Sequence, residues 1–251
     1  MAPQDHFSGC ASQYAAFRPR YPQALYQWLA TTAPTRERVW DCACGNGQAS
    51  ADLAEHFKEV IATDLSAEQV AHAAPHDRVA YRVAVAEASG LPSAEFDLVT
   101  VAQALHWFDL NRFYAEVRRV LRPDGVLAVW CYGECDIPAA FGAAHLQHFY
   151  QQVIGPYWQP ERHLVETGYR TMRFPAPELA VPDVTMIFDW SLNDLMGYVS
   201  SWSATARYIK ERGTDPVPAL QSAMAPHWGD PSVRRTLRWP LSVRAARLNQ
   251  A

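Results

Sequence analysis

The stretch Val39-Trp40-Asp41-Cys42-Ala43-Cys44-Gly45-Asn46-Gly47-Gln48 constrains this chain more than any other. An apolar pair ends in an acid, a turn of small residues follows, and a helix-forming run extends from Gln48 to Phe57. That order predicts strand, loop, helix. Gly45 and Gly47 lack a Cβ, so the backbone can turn sharply and bring main-chain N–H groups close to a ligand. The first turn of the helix adds its own unpaired N–H groups at the same place. A second strand, Val60 to Thr63, runs into Asp64, 23 residues after Asp41. An acid at the tip of the second strand of a βαβ unit is placed to accept hydrogen bonds from ribose hydroxyls.

Two ligand chemistries compete for this loop. A dinucleotide loop would read G-x-G-x-x-G, whereas the spacing here is D-x-A-x-G-x-G. Asp41 sits where a diphosphate would be repelled, and a carboxylate there suits a ligand carrying a cation, such as the α-ammonium of a methionine moiety. A plain βα turn with no ligand is the third reading, and the placement of Asp64 argues against it.

Downstream, strand and helix alternate. Ala67–Ala73 is read as a helix capped by Ser66, and Val79–Val83 and Phe96–Ala102 as strands. Leu110–Leu121 is read as an amphipathic helix, Pro123–Gly125 as a turn, and Val126–Cys131 as another buried strand. This alternation predicts an α/β fold built on a doubly wound, Rossmann-like, mostly parallel seven-stranded sheet. Ligands of such sheets bind outside the carboxyl ends of the strands, where Asp41, Asp64, Glu87 and Gln103–Trp107 all fall.

The 251 residues are read as a single domain with four parts. Residues 1–30 form an N-terminal lid and helix, 31–132 the ligand-binding core, 133–182 a helical cap insertion, and 183–251 the strands and helices completing the sheet. The final strand, Ser232 to Arg244, is expected to be antiparallel and at the sheet edge. In the lid, Phe7, Tyr14, Phe17 and the run Arg18-Pro19-Arg20-Tyr21-Pro22 are richer in aromatics and arginine than a disordered tail needs.

Net charge of -4 and no Lys/Arg cluster leave no electrostatic case for nucleic acid. No apolar run approaches the roughly 20 residues of a membrane span, and no basic segment followed by an apolar core opens the chain. A cytoplasmic enzyme, monomeric or homodimeric, acting away from membranes is the expectation. Five cysteines, an odd number with no framework, argue against disulfides, and no metal site is expected.

Asp41–Gly47, Asp64, Ala86-Glu87 and Phe96–Ala102 together resemble the motifs of class I S-adenosylmethionine-dependent methyltransferases. Tyr14, Arg18-Pro19, Gln103–Trp107 and Trp202-Ser203-Ala204 are similar to the type 11 group, and within it to small-molecule methyltransferases like those of trans-aconitate. The resemblance implies S-adenosyl-L-methionine as cofactor. Ala43, Gly45 and Gly47 would wrap its methionine part, Asp64 would hold the ribose and Leu65 the adenine. Ala86 and Glu87 would border the adenine edge, and Gln103 would approach the methionine, with Tyr14 or Arg18 able to meet its carboxylate. Ala43 stands where the family has its first glycine.

Methyl transfer is an in-line displacement for which alignment and water exclusion supply much of the rate. A carboxylate acceptor needs no base, whereas a hydroxyl or carbon acid does. His106 is the candidate base, and Trp107 walls the pocket or faces the sulfonium. Trp202, Arg207 and Tyr208 are candidates for the substrate side, with Arg18 and Arg207 the cations to meet an anion. O-methylation of a carboxylate or hydroxyl is the leading expectation. Carbon methylation of a quinone or isoprenoid precursor, a non-catalytic cofactor binder, and a dinucleotide oxidoreductase are the alternatives.

Overall fold

The computed structural model describes residues 19–248. β1 (Arg38–Cys42) lies between β2 (Glu59–Asp64) and β4 (Phe96–Ala102), with Trp40 opposite Ile61 on one side and Val99 on the other. β3 (Val79–Val83) adds outside β2, and β5 (Leu121–Cys131) outside β4, all in parallel. β7 (Arg235–Arg247) runs antiparallel beside β5, and β6 (Val184–Trp190) closes the sheet, giving the order β3-β2-β1-β4-β5-β7-β6.

Both faces of the central strands are covered, which is why they read as continuous apolar runs rather than alternating ones. The period of two nonetheless sorts their side chains. Val39, Val126, Ala128 and Trp130 join one core cluster, while Trp40, Leu127, Val129 and Cys131 join the other. The first face is covered by α1 (Gln23–Thr32) and α2 (Gln48–Ala54) through Leu25, Tyr26, Leu29 and Leu53. The second is covered by α4 (Leu110–Val120), which follows the short α3 (Ala67–Ala71) in the chain and buries Phe113, Tyr114, Val117 and Val120. Each such side chain removed from water stabilises the fold by about 1.5–3 kcal/mol. Asp109 caps α4 by accepting from Asn111 N and Arg112 N, and Ser66 caps α3 by accepting from Gln69 N.

At the amino ends of the strands a fully buried acid ties the sheet together. Asp97 accepts hydrogen bonds from Thr35 Oγ1 at 2.6 Å, Glu37 N at 3.0 Å and Arg38 N at 2.9 Å, and pairs with Arg122 Nη1 at 2.9 Å. That end is occupied by structure, so the ligand end is the opposite one.

Two expectations about the later chain need correction, and one helix was missed. The antiparallel strand β7 is second from the edge, and β6 is the edge strand. The cause is visible in β7 itself: its first half alternates buried and exposed against β6, while Ala245 and Ala246 are small and fully buried beside β5. Residues 121–125, expected to break before the strand, are the bulged start of β5, with Phe96 paired to Leu121 and Leu98 to Val126. A helix at Ser203–Arg212 was not expected. The segment between β5 and β6 contains α5 (Ala143–His148) and α6 (Arg162–Glu166). Its first part, through Leu146, Phe149 and Tyr150, extends the first core cluster together with α7 (Leu192–Ser200), α8 (Ser203–Arg212) and α9 (Val217–Trp228), whereas Val165 of α6 and Tyr169 join the second. Tyr150, Trp158, Tyr198 and Trp202 meet at the first cluster, at ring separations of 5.1–5.9 Å.

Candidate active site

The carboxyl tips of β2, β1 and β4 stand side by side, and the loops leaving them make the site. After β1 the backbone takes left-handed conformations at Ala43 (φ 55°), Gly45 (φ 56°) and Gly47 (φ 84°). Cys44 N donates to Thr63 O at 2.9 Å and Gly47 N to Cys44 O at 3.0 Å, so the loop folds over β2 before α2 begins. Asp64 fixes it from the side, its Oδ2 accepting from Gly45 N and its Oδ1 from Ser66 N, each at 2.8 Å. A carboxylate offers about four acceptor positions and no donor, the chemistry that ribose hydroxyls require. Leu65, next along, is half-buried.

Asp41 differs from the expectation of a direct contact with a cationic ligand. It is fully buried, with Ser50 Oγ donating to Oδ2 at 2.6 Å and Thr100 Oγ1 to Oδ1 at 2.8 Å. Burial pushes its pKa up to about 6 against the lowering effect of those hydroxyls, with Asp64 adding a smaller rise. Asp41 therefore acts on the loop from beneath, holding α2 and β4 to β1. The neighbouring thiols of Cys42 and Cys44 are pushed well above the ordinary range, first by burial and then by Asp41.

Tyr81, on β3, was not foreseen. Its ring lies against Gly47 so closely that a Cβ there would collide with it. Its phenol oxygen is buried with no hydrogen-bond partner among the described residues. A glycine cradle, an acid at the strand tip and an orphaned hydroxyl at the loop together fit a polar nucleoside-bearing ligand. The position of Tyr81 in the strand next to β2 was a usable signal.

On the other side, Gln103 leaves β4 with φ 59°, its N donating to Trp130 O at 2.9 Å and its Nε2 to Tyr132 O at 3.1 Å. Strain of this kind persists where surrounding structure enforces it. The single turn Leu105–Trp107 then presents His106, whose ring lies 4.5 Å from that of Trp107 and whose Nδ1 is 2.9 Å from Tyr169 Oη. Burial, helped by the positive charge of Arg162, lowers the His106 pKa to about 3. Ala86 is buried after β3, and Glu87 Oε1 accepts from Asp109 N at 2.9 Å, joining this loop to the start of α4.

The remaining candidates divide. Tyr14 and Arg18 lie outside the described residues; Pro19 O accepts from Gln48 Nε2 at 2.9 Å, which brings residue 19 to the glycine loop's helix. Trp202 is buried behind Tyr150 and Trp158. Arg207 donates to Tyr157 O at 3.1 Å, and Tyr208 packs on Tyr157 at 5.1 Å. These contacts tie all three to Tyr150, Tyr157 and Trp158 in the segment between β5 and β6. Among the described residues, the positive charge felt by His106 is that of Arg162, on α6, which packs against the Leu105–Trp107 turn and whose sequence carries no periodic pattern to mark it. Among the described residues no helix is long and apolar enough to cross a membrane.

Residues 40–129 match the family model described as a methyltransferase domain. A Dictyostelium discoideum protein named as a methyltransferase is 36% identical over 223 residues, spanning 88% of this chain and 85% of that one. A Saccharomyces cerevisiae protein named as an S-adenosylmethionine-dependent methyltransferase is 25% identical across 82% of this chain and 83% of its own length. A solved structure from Anaeromyxobacter dehalogenans, named as a type II methyltransferase, superimposes with a TM-score of 0.87 at 43% identity. It covers 94% of this chain and 100% of its own.

Proposed function

Because the chain belongs to the S-adenosylmethionine-dependent methyltransferases and uses S-adenosyl-L-methionine as cofactor, we propose that it methylates a small molecule at oxygen, by in-line transfer beside His106. The carrying observation is the convergence, at three adjacent strand tips, of the glycine loop, Asp64 and the Gln103–Trp107 turn. In this reading Ala43, Gly45 and Gly47 shape the methionine side, and Asp64 accepts from the ribose with Leu65 beneath the adenine. Ala86 and Glu87 border the ring, and Gln103 faces the methionine end. The cofactor supplies an electrophilic methyl group on a sulfonium.

His106 has a different role here from the general base that the residues suggested. Its Nδ1 is engaged by Tyr169, and a group whose pKa is near 3 is a weak proton acceptor at neutral pH. The backbone of Leu105 and His106 also faces the phenol oxygen, so we assign the phenol proton to Nδ1 and the ring proton to Nε2. His106 then donates a hydrogen bond and positions the acceptor, while Trp107 walls the pocket. An acceptor that ionises without help fits this site better than a carbon acid does.

The same reading places the enzyme in the cytoplasm, with residues 133–182 as a cap and no role for nucleic acid. The test is incubation with cofactor labelled in its methyl group and a panel of small acids, alcohols and phenols, followed by location of the label. Label on oxygen supports the proposal. Label on carbon would instead establish the quinone or isoprenoid type of reaction, and cofactor binding with no transfer across the panel would mark a non-catalytic binder.

A further inference from the structure

We propose that Arg162 is the specificity-determining residue of the acceptor pocket and that the methyl acceptor is a small carboxylate held by its guanidinium. This rests on the methyltransferase reading above.

Arg162 opens α6, which packs against the Leu105–Trp107 turn that carries His106. The same helix meets the end of β5, where Cys131 Sγ donates to Val165 O at 3.7 Å. The guanidinium is seated on aromatic faces, 4.6 Å from the Trp158 centroid and 5.6 Å from that of Tyr150. Its Nε donates to Tyr150 Oη at 2.7 Å, and Tyr150 passes its own proton to Glu166 Oε1 at 2.5 Å. Glu166 itself lies 3.8 Å from Nε. One edge of the fork is therefore spent on holding the side chain still. Nη1 and Nη2 make no hydrogen bond among the described residues, and the side chain is 22% exposed.

A planar cation fixed through Nε, with both Nη groups available, is the arrangement that takes a carboxylate end-on through two parallel hydrogen bonds. Its field reaches His106, Glu134, Cys131 and Tyr169, which surround the carboxyl ends of β4 and β5. Of the two cations the sequence suggested, Arg18 lies outside the described residues, and Arg207 uses Nη1, one of the fork's two ends, on Tyr157 O at 3.1 Å. A carboxylate also matches the state of His106, since it needs no base. One carboxylate oxygen forms a bond to the methyl carbon, the methyl–sulfur bond breaks with its electron pair staying on sulfur, and no proton moves. The products are a methyl ester and a thioether.

The test uses the full chain, methyl-labelled cofactor, and a panel of mono-, di- and tricarboxylic acids paired with their amides. A methyl ester releases its label as methanol in alkali, whereas ethers and carbon-methylated products do not. The expected result is alkali-labile product from an acid and none from its amide. Arg162→Gln should raise KM for that acid roughly 10–100-fold, the worth of a charge-assisted hydrogen bond pair, with kcat changed much less. Arg162→Lys should recover part of the loss. Both variants should bind S-adenosylhomocysteine as wild type does, which also shows that they fold. Alkali-stable product, equal use of acid and amide, or an unchanged KM in Arg162→Gln would overturn the assignment. So would cofactor binding with no acid methylated. Failure of wild type to bind S-adenosylhomocysteine would overturn the parent reading as well, and that titration separates the two failures.

Discussion

Asp64 Oδ2 accepts a hydrogen bond from Gly45 N at 2.8 Å, tying the tip of β2 to the middle of the loop that leaves β1. The acid that would receive the ribose thus also holds the shape of the loop facing the methionine. On the proposed reading, both halves of the cofactor site depend on one carboxylate.

The loop carries a cost at Ala43, whose φ of 55° is the left-handed conformation that L side chains disfavour by about 1–2 kcal/mol. Ala43→Gly removes that strain but adds unfolded-state entropy of about 0.5–1 kcal/mol. The expected outcome is a stability equal to or up to about 1.5 kcal/mol above wild type, where an alanine in an ordinary conformation would lose stability on the same change. Urea unfolding of the two proteins checks it. A loss above about 1 kcal/mol would show that the methyl group packs rather than strains.

Tyr81→Phe removes a buried hydroxyl that has no partner among the described residues. Deleting such a group is neutral or stabilising for the protein alone. The melting temperature without ligand should stay level or rise, while affinity for S-adenosylhomocysteine should fall several-fold, because the hydroxyl finds its partner only in the loaded site. Unchanged affinity would remove Tyr81 from the cofactor site.

The glycine loop, Asp64 and the Gln103–Trp107 turn were legible because a βαβ unit fixes where each strand tip lies once the strands are found. Asp41 was found, but not its environment: only the fold shows that Ser50 and Thr100 close over it. Arg162 was not legible at all. It comes from a five-residue helix in a segment rich in proline and aromatics, and its place beside His106 is set by contacts with Tyr150 and Trp158 distant from the motifs. The α8 helix was missed for a local reason: it starts after Trp202 with no side-chain cap and presents few buried residues.

His106 is expected to stay neutral. With its pKa lowered to about 3, the folded state resists protonation, so its contribution to stability is intact above the unfolded value near 6.5. That contribution is lost progressively as pH falls toward 3. Imidazole nitrogen shifts followed by NMR should show no titration of His106 between pH 5 and 8. A midpoint between 6 and 7 would restore it as a candidate base.

Asp41 has the opposite sign. Its pKa, raised to about 6, means the folded state prefers the protonated acid, so its stabilising contribution is present below the ordinary value near 3.8. It is lost as pH rises through 6. Asp41→Asn should gain on wild type by up to about 3 kcal/mol between pH 4 and 7. Paired thermal melts across that range measure the difference, and a difference independent of pH would show that Asp41 ionises as an exposed acid does.

The most direct test of the account is calorimetric titration of the full chain with S-adenosylhomocysteine, with Asp64→Ala alongside. The account predicts saturable one-to-one binding to wild type and its loss in the variant, through both the ribose contact and the slackened Gly45 loop. Absence of binding to wild type, or equal binding by both proteins, would contradict it.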